Sequence, residues 1–219
     1  KMDNKDIKVS VVCLTFNHEK YIKQSIDSIL SQKTDFDFEI IINDDASTDG
    51  TVDIIKSYQE KYPDIIKPVF HEENQFSKNE GYINEPVGKA KGEYIAFACG
   101  DDYWCDDQKL QIQYDFMESH KDIKICFHNV KTYFEKTKKF EDYYYPWKAL
   151  SWPFKGAGYY SQSELIALGN IIDGSIMIHR SDYIPQIDCT AEDFYFTLSM
   201  AIQGPGWCID RTMVVYRYT

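Results

Sequence analysis

A chain of 219 residues suits one compact domain, or two closely fused half-domains sharing a sheet, and its 43% hydrophobic and 16% aromatic content excludes a disordered chain. The formal net charge of -11 opposes nucleic acid and anionic lipid surfaces as partners, because such binding rests on Lys and Arg contacts to phosphate. Neither a run of about 20 apolar residues nor an export leader is present, so the expectation is an intracellular protein.

Val9 to Leu14 (VSVVCL) is an almost continuous apolar run rich in β-branched residues, which predicts a strand buried on both faces of a parallel sheet. From His18 to Leu30 the residues Tyr21, Ile22, Ile26, Ile29 and Leu30 fall at helical spacing, with Asn17 placed as the N-cap. Glu39 to Ile42 repeats the strand signal. Asn43 to Gly50 is a polar loop, and Val52 to Tyr62 restores a helical period that stops at Pro63. A strand around Ile65 to Phe70 precedes a polar stretch, His71 to Glu85, without periodicity; Tyr94 to Ala98 is then a strand between Gly92 and Gly100. Alternating strands and helices predict an α/β fold with a mostly parallel, doubly wound sheet, whose ligands bind beyond the carboxyl ends of the strands. Further on, Leu110 to Met117 reads as a helix and Ile123 to Val130 as a strand. Tyr143 to Tyr160 is a loop dense in Tyr, Trp, Pro and Gly. Ile171 to His179, with its turn at Asp173-Gly174, reads as a strand, Asp193 to Ile202 as a helix and Met213 to Tyr218 as a last strand.

Asp101 and Asp102 follow a buried strand and a glycine, where side chains point into the crevice. Two carboxylates there repel, and a hard divalent ion relieves the repulsion and can hold two phosphates; an ordinary polar turn capping the next helix is the alternative. The loop Asp44-Asp45-Ala46-Ser47-Thr48-Asp49-Gly50 is no EF-hand, since a strand precedes it and Lys56 takes the place of the closing Glu. Nor is it a phospho-aspartate site, because Asn43 stands two residues before Asp45. What remains is a carboxylate able to accept the imide N–H of a uracil, with Ser47 and Thr48 as helix-cap residues. Phe16, directly after the first strand, either stacks on a base or plugs the core. No glycine lies between Val9 and Leu30, which disfavours a dinucleotide-binding Rossmann site. Lys78 either orients the base or diphosphate or is simply solvated. His128 and His179 sit in strand-like runs and are expected to be core or supporting residues. The six cysteines show no CxxC pair, which predicts buried thiols in a reducing compartment.

VSVVCLTFN, EIIINDDASTDGT, AKGEYIAFACGDD and AEDFYFTLSM resemble the successive landmarks of family 2 glycosyltransferases with the GT-A fold, over nearly the whole chain. The resemblance implies a Rossmann-like nucleotide-sugar-binding half, 1–102, with a mixed, mostly parallel sheet flanked by helices, fused to an acceptor-binding half, 103–219. It implies that Thr15, Phe16 and Asn17 line the nucleotide pocket, that Asp45 reads the uracil, and that Asp101 with Asp102 stands in for the Asp-x-Asp element. Asp102 would hold Mn2+ or Mg2+, Asp101 the ribose, and Lys78 would assist at the donor. It further implies an inverting displacement with Asp193 as base, Glu192 the runner-up, although Asp193 at a helix start is also where the helix dipole favours a carboxylate.

The sequence departs from an Asp-x-Asp triplet in having Gly100 before adjacent aspartates. Relatives continue beyond the positions of Tyr216 and Arg217 into a basic or His-containing segment, so the expectation is a chain truncated at its C-terminus. The expected partners are a nucleotide-sugar, UDP-linked by preference, and a glycan or lipid-linked acceptor in bacterial surface-glycan synthesis, in the cytoplasm or against the inner face of the membrane. Tyr143, Tyr144, Tyr145, Trp147, Trp152 and Phe154 would stack on acceptor sugars, close over the donor, meet a lipid layer or pack as a surface loop. A non-catalytic nucleotide-sugar-binding module and a sugar nucleotidyltransferase are the alternatives; the second would need a glycine-rich basic loop after the first strand, which is missing.

Overall fold

The computed structural model describes residues 6–78, 82–142, 155–169, 171, 173–185 and 192–219, with the side chains of 141, 142, 173 and 192–194 outside that description. Its first half is β1 (Ile7–Thr15), α1 (Ile22–Leu30), β2 (Asp37–Asp44), α2 (Thr51–Lys61), β3 (Ile66–Phe70), α3 (Asn84–Lys89) and β4 (Tyr94–Cys99). The second half adds β5 (Tyr103–Trp104), α4 (Lys109–Ser119), β6 (Ile125–Phe134), β7 (Lys139–Asp142), β8 (Gly158–Tyr160), α5 (Gln162–Leu168), β9 (Met177–His179), α6 (Glu192–Ala201) and β10 (Gly206–Tyr218).

One sheet runs through both halves in the order β3-β2-β1-β4-β9-β6-β10-β5, with β7 beside β6 and β8 beside β10. The pairs β1–β2, β2–β3 and β1–β4 are parallel, and β9 is antiparallel to both β4 and β6. The chain steps from β1 to β2 on one side and returns to β4 on the other. This makes the end of β1 the switch point where a doubly wound sheet opens a crevice.

Side chains alternate across the sheet with period two. Val9, Val11 and Cys13 join the core beneath α1, α2 and α4, whereas Val12 and Leu14 join the opposite core with α3, α5 and α6. Ile22, Ile26 and Ile29 of α1 are fully buried at helical spacing. The polar face of that helix is also used: Ser25 Oγ donates to the Cys99 carbonyl at 2.9 Å and Ser28 Oγ accepts from Trp104 N–H at 3.0 Å. Gly92 allows a close approach, because a Cβ there would lie 2.4 Å from the Ser10 nitrogen.

Several expectations are corrected. Asn17 is not an N-cap: α1 begins at Ile22 with no side-chain cap, and Asn17 sits at φ 55 facing the neighbouring loop. Nor do Ser47 and Thr48 cap α2, whose N-cap is Gly50; Asp49 instead accepts from Thr51 N–H and hydroxyl at its start. The stretch read as aperiodic contains a 3-10 turn at Phe76–Lys78 and runs into the start of α3, the loop reading ends in β8, and β9 is only three residues long. None of the five described cysteines forms a disulfide; Cys13, Cys126 and Cys208 are buried, Cys99 half-buried and Cys105 exposed, and Cys189 lies outside the described residues. No helix among the described residues is long and apolar enough to cross a membrane.

Candidate functional site

Parallel register fixes the site. Thr15 pairs with Asp44, Leu14 pairs with both Asn43 and Cys99, and Gly100 N–H donates to the Leu14 carbonyl at 2.8 Å. Three loops therefore leave β2, β1 and β4 side by side.

The β1 and β2 loops are stitched together. Asn17 N–H donates to Ser47 Oγ and Thr48 N–H to Asn17 Oδ1, both at 2.8 Å, while Glu19 N–H donates to Asp49 Oδ2 and Gly50 N–H to Glu19 Oε2, both at 3.1 Å. Asn17 turns its backbone into the left-handed region, and the neighbouring Phe16 is 42% exposed. Phe16 is thus no core plug.

Asp45 is buried at the same crevice, its N–H on the Thr15 carbonyl at 3.0 Å. Its carboxylate accepts Gln75 N–H at 2.7 Å and Phe76 N–H at 3.0 Å, and its carbonyl accepts Asn74 Nδ2 at 3.0 Å. Asp45 thereby holds the loop that carries Phe76 and Lys78, each carboxylate oxygen accepting one backbone N–H of that loop. Lys78 is exposed and ion-paired with Glu73.

After β4, Asp101 and Asp102 adopt different surroundings. The Asp101 side chain is 27% exposed with its Oδ2 3.8 Å from His18 Nε2, whereas Asp102 is 3% exposed and its Oδ1 accepts Arg217 N–H at 2.8 Å. His18 Nδ1 shares a hydrogen bond of 3.1 Å with Thr15 Oγ1. Burial holds the His18 imidazole below its ordinary pKa, against the opposing pull of the Asp101 carboxylate. Gly100 makes this packing feasible: a Cβ there would meet Thr15 Oγ1 at 2.5 Å and His18 Nδ1 at 2.8 Å. Ligand atoms of Cys99, Asp101 and Asp102 lie within 4.8 Å of one another. Two carboxylate oxygens and a thiol at that spacing fit a divalent cation.

The structure brings Thr15, Phe16, Asn17, Asp45, Asp101 and Asp102 to one crevice. Asp193 falls in the first turn of α6, its side chain outside the described residues, as is the aromatic segment 143–154. His128 is buried in β6, where desolvation holds its pKa well below the ordinary value, and His179 lies beside Glu93 at the opposite end of the sheet from this crevice. Sequence reasoning missed His18 and the role of Arg217. His18 had a signal, its spacing of three from Thr15 on a loop; Arg217 had none that was local.

A family model described as glycosyl transferase family 2 matches residues 10–184. The chain belongs to glycosyl transferase family 2. An uncharacterised protein of Mycobacterium tuberculosis is 33% identical over 95% of this chain and 58% of its own length, so the chain spans little more than half of that relative. A poly(ribitol-phosphate) beta-glucosyltransferase of Bacillus spizizenii is 35% identical over 54% of this chain and 19% of its own length. Among solved structures, S. aureus TarS 1-349 in complex with UDP-GlcNAc is similar with a TM-score of 0.70 at 22% identity, covering 97% of this chain and 59% of that one. A mannosyltransferase of Pyrobaculum calidifontis in complex with GDP-Man and Mn2+ has a TM-score of 0.67 at 17% identity over 99% of this chain and 60% of that one. These likenesses give the fold of the family 2 chain, GT-A, and its crevice occupies the switch point of that fold.

Proposed function

We propose that this chain binds a UDP-sugar at the crevice of β1, β2 and β4 and passes the sugar, with inversion, to an acceptor hydroxyl held over the half formed by 103–219. The observation that carries the reading is the convergence of Phe16, Asp45 and the Asp101-Asp102 pair at three neighbouring strand ends. Phe16 offers an exposed ring for the base, and stacking of that kind contributes about 1–3 kcal/mol. Thr15 and Asn17 shape the floor of the pocket, Asp45 accepts the uracil imide, Asp101 faces the ribose and Lys78 the diphosphate.

Asp101 and Asp102 are the oxygen donors that would hold Mn2+ or Mg2+, with Asp102 as the principal ligand and the softer Cys99 thiol beside them. When bound, such an ion stabilises charge growing on the departing diphosphate. The chain's own part is displacement chemistry: the acceptor oxygen forms a bond to the anomeric carbon as the bond to the diphosphate oxygen breaks, and the electron pair leaves with the nucleotide. The hydroxyl proton passes to Asp193 at the start of α6. The family relative named for glucosyl transfer to poly(ribitol phosphate) supports a bacterial surface glycan, free or lipid-linked, as the acceptor class.

The test is a thermal-shift panel of nucleotide-sugars with and without Mn2+, followed by turnover. UDP with Mn2+ is expected to raise the melting temperature, Asp102→Ala to abolish the rise, and Asp193→Asn to bind donor without turning it over. An Asp193→Asn variant as fast as wild type removes the base assignment. A wild type that binds donor but never transfers is a binding module.

A further inference from the structure

We infer that Arg217 is a positioning residue, which clamps the main chain of Asp101 and the carboxylate of Asp102 so that the pair keeps the spacing a cation needs; this rests on the donor-and-cation reading proposed above. Arg217 is the penultimate residue of β10, only 7% exposed, and sits in register with Tyr133 of β6. Its N–H donates to Asp102 Oδ1 and its Nε to the Asp101 carbonyl, both at 2.8 Å. One residue therefore grips the side chain of one aspartate and the backbone of the other.

The rest of the guanidinium is engaged elsewhere. One terminal nitrogen pairs with Glu135 and the other donates to Gln24 Oε1 at 2.7 Å, while the Tyr21, Tyr103 and Tyr133 rings lie 4.6, 5.6 and 5.7 Å from the guanidinium carbon. All three nitrogens have partners and aromatic rings surround the group. The cation is thus turned inward and is not presented to a diphosphate.

Adjacent carboxylates repel, and a short loop carrying them relaxes by swinging one away unless something opposes it. Elsewhere in this turn Gly100 N–H donates to the Leu14 carbonyl, and the Cys99 carbonyl accepts Ser25 Oγ at 2.9 Å and, at a long 3.3 Å, Asp102 N–H. Arg217 Nε adds a restraint on the Asp101 main chain, and the Arg217 backbone N–H fixes the orientation of the Asp102 carboxylate. A lysine would keep the main-chain bond to Asp102 but not the hold on Asp101, because it is a point charge on a flexible stem, without the planar fork that serves Asp101, Glu135 and Gln24 together.

The test compares wild type, Arg217→Lys and the milder Glu135→Gln, which weakens the ion pair while keeping an acceptor. Isothermal titration measures UDP binding without metal, and Mn2+ binding to the UDP-saturated protein. The expected result is a fall in Mn2+ affinity of about tenfold for Arg217→Lys and a smaller fall for Glu135→Gln, since residues that orient ligands typically carry such weight. UDP affinity without metal is expected to stay at the wild-type value, which a merely structural lesion would not allow. Unchanged Mn2+ affinity in both variants overturns the proposal. So does an equal loss of metal-free UDP binding, which would mean that Arg217 meets the diphosphate itself or that the pocket has collapsed. If Arg217→Lys does not fold, Glu135→Gln alone decides by the same criteria. A wild type that binds neither UDP nor Mn2+ refutes the proposed function, independently of any variant.

Discussion

Asn17 and Thr48, on loops that leave neighbouring parallel strands, are joined by a 2.8 Å hydrogen bond from Thr48 N–H to Asn17 Oδ1, with the Thr48 hydroxyl on the same oxygen at 3.3 Å. Asn17 makes it from φ 55, a conformation that asparagine tolerates better than most residues. Asn17→Ala loses both the acceptor and that tolerance, and is expected to destabilise by about 1–3 kcal/mol. Asn17→Gly keeps the backbone freedom and Asn17→Asp the acceptor, so each should recover part of the loss. Chemical denaturation measures stability and UDP titration shows whether the pocket opens.

Gly92 and Gly100 make a matched pair for overpacking. A Cβ at Gly92 would sit 2.4 Å from the Ser10 backbone nitrogen, which cannot yield without disturbing β1. At Gly100 the obstacles are side-chain atoms of Thr15 and His18, of which the His18 ring and Thr15 Oγ1 can turn aside more readily than the Thr15 Cβ at 2.8 Å. Gly92→Ala is expected to be the more destabilising, with Gly100→Ala costing about 1–3 kcal/mol. Binding should invert the order: Gly100→Ala weakens UDP and Mn2+ binding, whereas folded Gly92→Ala protein binds normally.

Asp45→Ala removes the acceptor of Gln75 and Phe76 N–H groups, bonds to a charged group that contribute about 1.5–3 kcal/mol. The 74–78 loop should open while the sheet remains. Hydrogen exchange at the Gln75 and Phe76 amides is expected to accelerate well beyond that at β1, and Asp45→Asn should fall between the two. Equal protection in wild type and Asp45→Ala would show that the carboxylate does not hold the loop.

Lys109 is fully buried on α4, its Nζ donating to Gln113 Oε1 at 2.7 Å and 4.2 Å from the Trp104 ring centroid. Burial lowers its pKa to about 7. The nearby groups give little charge to pair with: the Cys126 thiol is pushed up to about 12 and His128 is held neutral by desolvation. Between pH 7 and the ordinary lysine range near 10.5 the unfolded state binds the extra proton, so stability rises with pH there. The slope is at most about 1.4 kcal/mol per pH unit. Below pH 7 both states are protonated and the penalty of the buried charge is complete. Urea midpoints measured from pH 6 to 10 should therefore climb more steeply for wild type than for Lys109→Met; parallel curves would refute the assignment.

Much of the first half was legible in the sequence, because local patterns specify it. Buried β-branched runs and the helical spacing of Ile22, Ile26 and Ile29 mark elements without reference to anything distant, and Thr15, Asp45 and Asp101-Asp102 stand where strands end. The second half blurred where elements are short: β7, β8 and α5 offer four, three and seven residues, too few for a period to show.

What only the tertiary structure decided is who meets whom. Periodicity tells that Arg217 lies on a strand but not that β10 inserts between β6 and β5, which carries it to Asp102 across 115 residues of chain. Nor could a local reading see that Asn17 and Ser47 would spend their polar atoms on each other instead of on helix ends. Hydrogen-bonding groups are satisfied by whatever packing brings within about 3 Å, and that depends on strand order and register, which are settled by burying both faces of the sheet at once.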